Sequence, residues 1–424
     1  MTKHHVIFEY SNITKNCISE SAFEWLNRYI LEDEEKQPPF IKHYGDRLQV
    51  KNYVGIIETP CGTCIEVLPK IYKNETEEEQ RKSKQLLWKM LSVVYNLKSL
   101  EATEASLEKH SGRLIDILIS AFLKIVSSIV HRGLRSDYVR IQAERHFIKG
   151  RLRVNQQLRQ PLSKQHKFQI EYDCFLPNRP ENRLLKTALQ KVLKWTLDSD
   201  NQRHIRQLLL HFDEIPTSIQ AKQDLISWST QRDMVYYQTA KPWVELIITE
   251  QTPWFNKGSW QGISLLFPME KLFEKYVAKQ LKKQLVNNFE LRTQLNNKYL
   301  VKHKTKQKEK PLFQLKPDLA IQHRQDNKLL LILDTKWKLL DISSYQYGLK
   351  QSDFYQMFAY GHQYLEGKGD LVLIYPKTER FQEPLSPFYY SEALTLWVVP
   401  FCLENNKLIL DNTPLLSYFQ PTDD

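Results

Sequence analysis

The sequence predicts a multidomain α+β protein with a β-rich N-terminal domain over residues 1–75, a mainly helical middle region over residues 76–258 and a mixed α/β C-terminal domain over residues 259–424. A chain of 424 residues exceeds what one ordinary hydrophobic core accommodates, so several domains are expected. The hydrophobic pattern also changes along the chain, from short strand-like runs to helical spacing and then to an alternation of the two. These two observations define the predicted division.

Turn residues and a change of period predict the elements of the first two ranges. The predicted strands cover residues 6–10, 48–57 and 63–68. A charged segment at residues 71–85 follows, and apolar residues then recur at helical spacing from Leu86 onward. Further predicted helices cover residues 114–130, 182–197 and 205–212. Residues 213–258 have a mixed pattern that predicts no particular element.

The C-terminal domain begins with an amphipathic helix after Pro268, a position where a helix start tolerates proline. Its apolar stripe consists of Met269, Leu272, Phe273, Tyr276, Val277 and Leu281. The following predicted elements are strands at residues 319–321 and 329–333, a helix at about residues 348–365 and strands at residues 371–375 and 394–401. This order of elements indicates a mixed α/β domain of ordinary size.

The composition excludes wholesale disorder, because 42% of the residues are hydrophobic and 26% are charged, as in folded proteins. The chain has 60 Lys and Arg against 49 Asp and Glu, a net charge of +11. That charge favours an anionic partner without distinguishing nucleic acid from an acidic membrane. Neither G-x-x-x-x-G-K-[ST] nor G-x-G-x-x-G occurs, so we expect that this chain binds no nucleotide.

Cysteine usage and hydropathy predict a soluble cytoplasmic protein. The five cysteines are scattered and odd in number, which argues against a disulfide framework and for a reducing compartment. The first ten residues contain no apolar core of the kind found in secretory signals. The most apolar stretch, residues 114–130, is interrupted by polar residues such as Asp116 and Lys124, so we expect neither a bilayer span nor a membrane partner.

Asp318 and Asp334 lie at the two ends of a predicted hairpin. If its turn is centred on Asp326, each aspartate is eight residues from the centre, and the two face each other across the strand pair. Opposed Cβ atoms are about 4.5–5.5 Å apart, so two such carboxylates repel each other and require a compensating cation. Lys336 lies two residues beyond Asp334 and therefore projects from the same face of the sheet.

A shared Mg²⁺, or Mn²⁺ in its place, would resolve this repulsion, with Asp318 and Asp334 as the predicted metal ligands. The ion would polarise a phosphate, while Lys336 would position or activate the attacking water and stabilise developing charge. The apolar run at residues 329–333 is typical of a central strand that delivers Asp334 at its end. In the alternative interpretation, the P-D pair and the D-x-K triplet occur by chance, and these residues have a structural role only.

Residues on two helices complete the predicted catalytic set. Glu274 lies beside the apolar stripe of the first helix and is a candidate further ligand. Gln356 and Tyr360 are spaced i, i+4 on the later helix and share one face, from which they would contact the DNA backbone or order the water. In the alternative interpretation, Gln356 and Tyr360 only pack the helix on the sheet, and Glu274 belongs to a solvated flank.

These residues resemble the PD-(D/E)xK nuclease superfamily in its Q-x-x-x-Y-bearing branch. The resemblance rests on Pro317-Asp318, Asp334-Thr335-Lys336 and the helix at residues 356–360. More narrowly, the chain resembles the McrC family, the nuclease subunits of McrBC-type modification-dependent restriction systems. The matching segments are residues 65–70, 150–152, 181–187, 269–274 and 334–338. They span nearly the whole chain, with no departure at the core positions.

The resemblance implies that residues 259–424 form a PD-(D/E)xK endonuclease domain that cleaves double-stranded DNA in defence against foreign DNA. It also implies a partner, a McrB-like hexameric AAA+ GTPase ring that recognises modified DNA and whose NTPase activity this chain stimulates. The N-terminal region and the middle region at residues 76–258 are the parts expected to dock on this ring. Two other classes stay open. The first is a non-catalytic activator of the NTPase; metal-dependent cleavage by the reconstituted complex would exclude it. The second is a stand-alone repair or recombination nuclease, which would cut unmodified DNA without a nucleotide.

Two basic stretches are candidate contact surfaces. In residues 279–310, ten Lys or Arg stand against two Glu, and alternate lysines form one row if the chain is extended. The predicted DNA-binding residues of this row are Lys302, Lys304, Lys306 and Lys308. They would track phosphates with a salt-sensitive affinity, unless the stretch is a solvated loop tip. The second stretch, residues 132–153, would contact DNA or the partner ring.

That second stretch also contains candidates for an arginine finger acting in trans on the partner's nucleotide. The candidates are Arg132, Arg135, Arg140 and Arg145. Elsewhere, Cys61 and Cys64 are spaced like half a zinc site, but no second pair completes the site in the sequence. A turn of small residues between two strands is the favoured interpretation of this motif.

Overall fold

The computed structural model describes residues 4–31, 40–71, 76–97, 113–249, 264–304 and 309–419. The chain forms two compact units, one made of Met1–Asn96 together with Leu265–Asp424 and the other of Leu97–Ser264. This division differs from the three predicted ranges, because residues 1–75 and 259–424 were expected to be separate domains. The chain is nevertheless a mixed α/β protein of more than one domain, as predicted.

In the residues that the structure describes, the N-terminal part of the first unit contains two small sheets and two helices. Its elements are β1 (His4–Phe8), β2 (Asn12–Ile13), α1 (Glu20–Leu31), β3 (Ile41–Tyr44), β4 (Arg47–Val50), β5 (Tyr53–Glu58), β6 (Cys64–Leu68) and α2 (Glu77–Val94). One sheet has the strand order β2-β4-β3. In the other sheet β1 pairs with β6 in parallel, and β5 pairs with β6 in antiparallel orientation. The strand-rich character predicted for this range is confirmed.

A strand from the C-terminal segment completes this second sheet. β10 (Ser264–Pro268) follows β5, so that the strand order is β1-β6-β5-β10. At Gly55 in β5 the backbone has a φ of +131°, and an added Cβ would lie 2.0 Å from the carbonyl oxygen of Leu265. Only glycine therefore permits this approach of the two strands. The pairing explains why the two ends of the chain share one compact unit.

The second unit combines helices with a three-stranded sheet. Its elements are α3 (Leu114–Arg132), β7 (Asp137–Arg145), β8 (Arg151–Leu152), α4 (Val154–Gln157), β9 (Phe168–Leu176), α5 (Pro180–Trp195), α6 (Ser199–Leu210), α7 (Ala221–Ile226) and α8 (Lys241–Thr249), with 3₁₀ turns at Leu162–Lys164 and Arg232–Tyr237. The sheet has the strand order β7-β9-β8. The prediction of a mainly helical region missed this sheet, because its strands carry many charged residues and lack a buried apolar row.

By length and composition alone, helix α3 could cross a membrane. This corrects the expectation that its polar residues, such as Asp116 and Lys124, make it too polar to do so. Most of the helix is buried inside its own unit, including Leu118, Phe122 and Val126. The core helix of a soluble protein passes the same test, so this helix is weak evidence for a membrane span.

The C-terminal segment of the first unit is built around a larger sheet. After β10 its elements are α9 (Met269–Gln284), β11 (Phe289–Thr293), β12 (Lys298–Lys304), β13 (Glu309–Leu315), β14 (Leu319–His323), β15 (Leu329–Thr335), α10 (Gln351–Tyr364), β16 (Gly369–Pro376), β17 (Phe388–Tyr389), β18 (Leu394–Cys402) and β19 (Lys407–Leu408), with 3₁₀ turns at Tyr345–Gly348 and Pro414–Tyr418. The sheet has the order β11-β14-β15-β16-β18-β17, and β19 pairs with β18. β12 and β13 form a separate two-stranded ribbon.

β14 and β15 form the predicted hairpin. Leu319 pairs with Leu333 in the antiparallel register, and a bulge between Ile321 and Gln322 precedes the turn. On its other side β15 pairs in parallel with β16, so β15 is a central strand, as its apolar run predicted. Helix α10 covers one face of these strands, with Met357 and Tyr360 buried in the same apolar cluster as Ile332.

Candidate active site

The hairpin brings Asp318 and Asp334 together. Asp318 immediately precedes β14 and Asp334 lies near the end of β15. Because Leu319 pairs with Leu333, extending the ladder by one residue sets Asp318 beside Asp334, which confirms the predicted register. Only 2% of the Asp334 surface is exposed. Burial, followed by the negative charge of Asp318, raises the pKa of Asp334 above that of an ordinary aspartate.

Thr335 fixes the position of Asp318. Its backbone N–H and its hydroxyl both donate to Oδ2 of Asp318, at 2.8 and 2.7 Å. The sequence did not indicate a role for Thr335, because the middle position of a D-x-K triplet carries no chemical constraint that can be read from spacing. The two hydrogen bonds hold the carboxylate of Asp318 against the end of β15.

The ammonium group of Lys336 completes the pair of carboxylates. Its Nζ lies 2.6 Å from Oδ2 of Asp334, so the two side chains project from the same face, as predicted. Burial is the largest single influence and lowers the pKa of Lys336. The charge and hydrogen bond of Asp334 together with the charges of Asp353 and Asp318 outweigh burial, so the pKa of the ammonium is raised. Lys336 is therefore a cation held in place against a buried carboxylate.

Gln356 and Tyr360 orient Lys336 from helix α10. Lys336 Nζ donates to Oε1 of Gln356 at 3.1 Å, and Nε2 of Gln356 donates to the hydroxyl of Tyr360 at 2.7 Å. That hydroxyl donates in turn to the backbone carbonyl of Lys316 at 3.0 Å. Burial, and then the charge of Asp334, raises the pKa of Tyr360, which keeps its hydroxyl protonated as a donor. The two residues thus link the lysine to the segment that precedes Asp318.

Glu274 lies on helix α9 and interacts electrostatically with Asp318. Burial, and then the charge of Asp318, raises the pKa of Glu274, so these two carboxylates lie within electrostatic range of each other. Nε2 of Gln294 donates to Oε1 of Glu274 at 3.1 Å. The Glu274 carboxylate is half-buried, and its role as a further ligand stays a prediction.

Asp353 is a further acidic residue that the sequence analysis missed. It lies on helix α10 one turn before Gln356, and its charge contributes to raising the pKa of both Asp334 and Lys336. The hydroxyl of Tyr375 donates to Oδ2 of Asp353 at 3.3 Å. The i, i+3 spacing to Gln356 was the signal that could have placed it on the same face.

The donor atoms of this cluster suit a hard divalent cation. Asp318 and Asp334 offer carboxylate oxygens, the ligands that Mg²⁺ prefers, and they lie opposite each other at the end of the β14–β15 pair. Within the described ranges, no group of three or more His, Cys, Asp or Glu is arranged to hold a metal by itself. Two protein carboxylates with water ligands are typical of magnesium sites, so the residues fit this ion.

Cys61 and Cys64 flank a turn between two strands, which was the favoured interpretation of their spacing. Cys61 and Cys64 lie at the β5–β6 connection, where Cys61 is exposed and Cys64 is buried. Sγ of Cys61 lies 3.0 Å from Oγ1 of Thr59, and the backbone N–H of Gly62 donates to the carbonyl of Thr59 at 2.9 Å.

The basic residues lie in two different places. Lys302 and Lys304 belong to β12, whereas Lys306 and Lys308 lie outside the described residues. In the second unit, the guanidinium groups of Arg132 and Arg135 both lie 5.8 Å from the ring centre of Tyr236. Arg140 and Arg145 lie on β7, where Nε of Arg140 is 3.2 Å from Oδ1 of Asp173. The finger hypothesis for these four arginines stays a prediction.

The comparison with known protein families defines the class of this protein, a component of a restriction system. The chain belongs to the family described as McrBC 5-methylcytosine restriction system component, whose model matches residues 48–376. This confirms the family resemblance that the sequence motifs indicated. A search of curated proteins found no match.

Two solved assemblies contain a chain of similar fold. One is a refined half-complex from a tetradecameric assembly of Thermococcus gammatolerans McrB AAA+ hexamers with bound McrC, with a TM-score of 0.66 and 18% identity over 94% of this chain and 95% of that chain. The other is the McrBC complex of the same organism, with a TM-score of 0.50 and 19% identity over 65% of this chain and 86% of that chain. At such identities the likeness concerns the fold alone.

Proposed function

We propose that this chain is the Mg²⁺-dependent DNA endonuclease subunit of an McrBC-like, modification-dependent restriction system. The observation that carries the proposal is the Lys336–Asp334 ion pair beside Asp318, with the lysine held by Gln356. This is the arrangement expected of a PD-(D/E)xK site, and the family membership supports it.

We further propose that the chain works with an AAA+ GTPase partner and stimulates its NTPase activity. A protein of similar fold is found in an assembly of McrB AAA+ hexamers with bound McrC. The absence of both nucleotide-binding motifs from the sequence fits a division of labour in which the partner binds the nucleotide.

Each side chain has a chemical task in this proposal. Asp318 and Asp334 would hold the Mg²⁺, which supplies Lewis acidity to the scissile phosphate and to a bound water. Lys336 would position or activate the attacking water and stabilise negative charge on the phosphate in the transition state. Gln356 keeps the ammonium aimed at that position.

The test is cleavage by the Asp334→Ala variant in the reconstituted complex with Mg²⁺ and GTP. We expect cleavage to fall by at least about a hundredfold, while partner binding and GTPase stimulation stay at wild-type levels. The matched control is Asp326→Ala, which removes an exposed carboxylate from the turn of the same hairpin and is expected to cut normally. Wild-type cleavage by Asp334→Ala would show that the site is assigned wrongly.

A further inference from the structure

The β12–β13 ribbon is solvent-exposed on both faces. Val301 pairs with Leu312 and Lys304 pairs with Glu309, and nearly every residue of the two strands is exposed. Four of these residues are large and apolar: Leu300, Val301, Leu312 and Phe313. An isolated two-stranded hairpin is marginally stable in water, and exposed apolar side chains on it indicate a surface that contacts another molecule.

One face of the ribbon is basic. Strand alternation places Lys298, Lys302 and Lys304 on the same face of β12. Nζ of Lys302 lies 3.7 Å from Oε1 of Glu309, the residue opposite Lys304, which confirms that these residues share a face. This face of the ribbon therefore carries three ammonium groups and one carboxylate, so its net charge is positive. This charge complements a polyanion better than a neutral protein surface.

The base of the ribbon is fixed to the helix that carries Gln356. The hydroxyl of Tyr364 donates to the carbonyl of Leu315 at 2.9 Å, and Nε2 of Gln363 donates to the carbonyl of Leu300 at 3.4 Å. The chain then runs directly from β13 into Asp318. Any molecule bound along the ribbon is consequently held in a defined position relative to the carboxylate cluster.

We propose that the ribbon enters a groove of double-stranded DNA, with the face of Lys298, Lys302 and Lys304 along the phosphates, and so places a phosphodiester at the candidate active site. The inference rests on the proposed nuclease function and names the element that holds its substrate. A two-stranded ribbon fits the major groove, which is about 12 Å wide, and lysines along it bind backbone phosphates without reading sequence.

The experiment compares the full chain with the triple variant Lys298→Gln/Lys302→Gln/Lys304→Gln. Binding to a labelled DNA duplex is measured by fluorescence anisotropy in EDTA at several salt concentrations. We expect the affinity for DNA to fall roughly tenfold near 0.1 M salt. The slope of the logarithm of the binding constant against the logarithm of the salt concentration should become smaller in magnitude by roughly 2 to 3. Glutamine at three exposed positions should leave thermal unfolding nearly unchanged.

The control triple Lys42→Gln/Lys222→Gln/Lys368→Gln removes the same charge from exposed positions outside the ribbon and outside both basic stretches, and it should bind DNA with nearly wild-type affinity. An equal loss in this control would overturn the proposal, because net charge would then explain the effect. Unchanged DNA binding by the ribbon variant would also overturn it. If that variant instead failed to stimulate the partner's GTPase, the ribbon would be a protein-docking element.

This binding assay needs no catalysis, so its outcome is separate from that of the proposed function. Weakened DNA binding by the ribbon variant supports the ribbon assignment even if the Asp334→Ala experiment refutes the active site. Conversely, normal DNA binding by the ribbon variant, together with loss of cleavage in Asp334→Ala, refutes the ribbon and keeps the nuclease.

Discussion

The indole N–H of Trp337 donates a 2.6 Å hydrogen bond to the carboxylate of Glu9, although the two residues are 328 positions apart in the chain. Glu9 follows β1 and also accepts a hydrogen bond from the backbone N–H of Lys70 at 3.1 Å. Trp337 directly follows Lys336 and packs against Phe273 of α9, with ring centres 5.2 Å apart. The contact therefore ties the N-terminal sheet to the segment that carries the candidate catalytic lysine.

Replacing Trp337 with phenylalanine keeps an aromatic ring at this position, although a smaller one, and removes the indole N–H with its hydrogen bond. Because Glu9 stays buried with one donor fewer, we expect the free energy of unfolding to fall by about 1–3 kcal/mol. Cleavage by the folded protein should also fall, because Trp337, which directly follows Lys336, is then no longer held by its hydrogen bond to Glu9. Urea unfolding and cleavage by the reconstituted complex are the measurements.

Trp397→Phe is the matched control for this variant. Nε1 of Trp397 donates to Oδ1 of Asp370 at 2.8 Å, so the substitution removes the same kind of bond from β18. The control should lose stability but not cleavage at saturating Mg²⁺. Equal cleavage by both variants would show that the Glu9–Trp337 contact has no influence on the site.

Glu9 should make stability depend on pH. Burial raises the pKa of Glu9 to about 7, although Trp337 and Lys70 lower it. A carboxyl with a raised pKa in the folded state binds a proton more tightly there than in the unfolded chain, so stability falls as pH rises from about 4.5 to 7 and stays low above it. Glu9→Gln should remove this fall and be more stable than wild type at pH 8, by on the order of 2 kcal/mol.

Chemical unfolding of both proteins at several pH values measures the effect. Glu24→Gln on helix α1 makes the same change at an exposed position and should retain the wild-type pH dependence. A Glu9→Gln profile parallel to that of wild type would show that Glu9 ionises normally in the folded protein.

The sequence was sufficient to predict the hairpin and its two aspartates, but not the connection to the N-terminal sheet. Side chains alternate with a period of two, so a symmetric turn between Asp318 and Asp334 determines their register, and Lys336 follows from the same alternation. In contrast, the pairing of β5 with β10 and the Glu9–Trp337 bond join residues more than 200 positions apart. Such contacts leave no periodic signal, because each partner is chosen by tertiary packing.

The Tyr360 hydroxyl should matter for catalysis through Gln356 and Lys336. Tyr360→Phe keeps the buried ring but removes the bridge between Gln356 and the carbonyl of Lys316. We expect cleavage to fall roughly 10- to 100-fold, the range found when partners that orient catalytic ligands are removed. Tyr355 on the same helix accepts a hydrogen bond from Gln351 at 2.6 Å with the same spacing, but is exposed.

Tyr355→Phe is therefore the control and should cut at the wild-type rate. In a double-mutant cycle, Gln356→Leu and Lys336→Met should be strongly non-additive, since the glutamine would act only through the lysine. Additive losses would mean that Gln356 contributes by another route.

Thr335 should determine how well Asp318 serves as a metal ligand. Thr335→Val keeps the branched shape and the backbone donor but removes the hydroxyl that donates to Oδ2 of Asp318 at 2.7 Å. With only the backbone bond left, the Asp318 carboxylate is less firmly oriented, so we expect cleavage to fall about tenfold and half-maximal activity to require more Mg²⁺. Thr335→Ser retains the hydroxyl and should restore most of the activity. A magnesium titration of cleavage separates these outcomes, because an unchanged Mg²⁺ requirement in Thr335→Val would mean that Asp318 does not hold the ion.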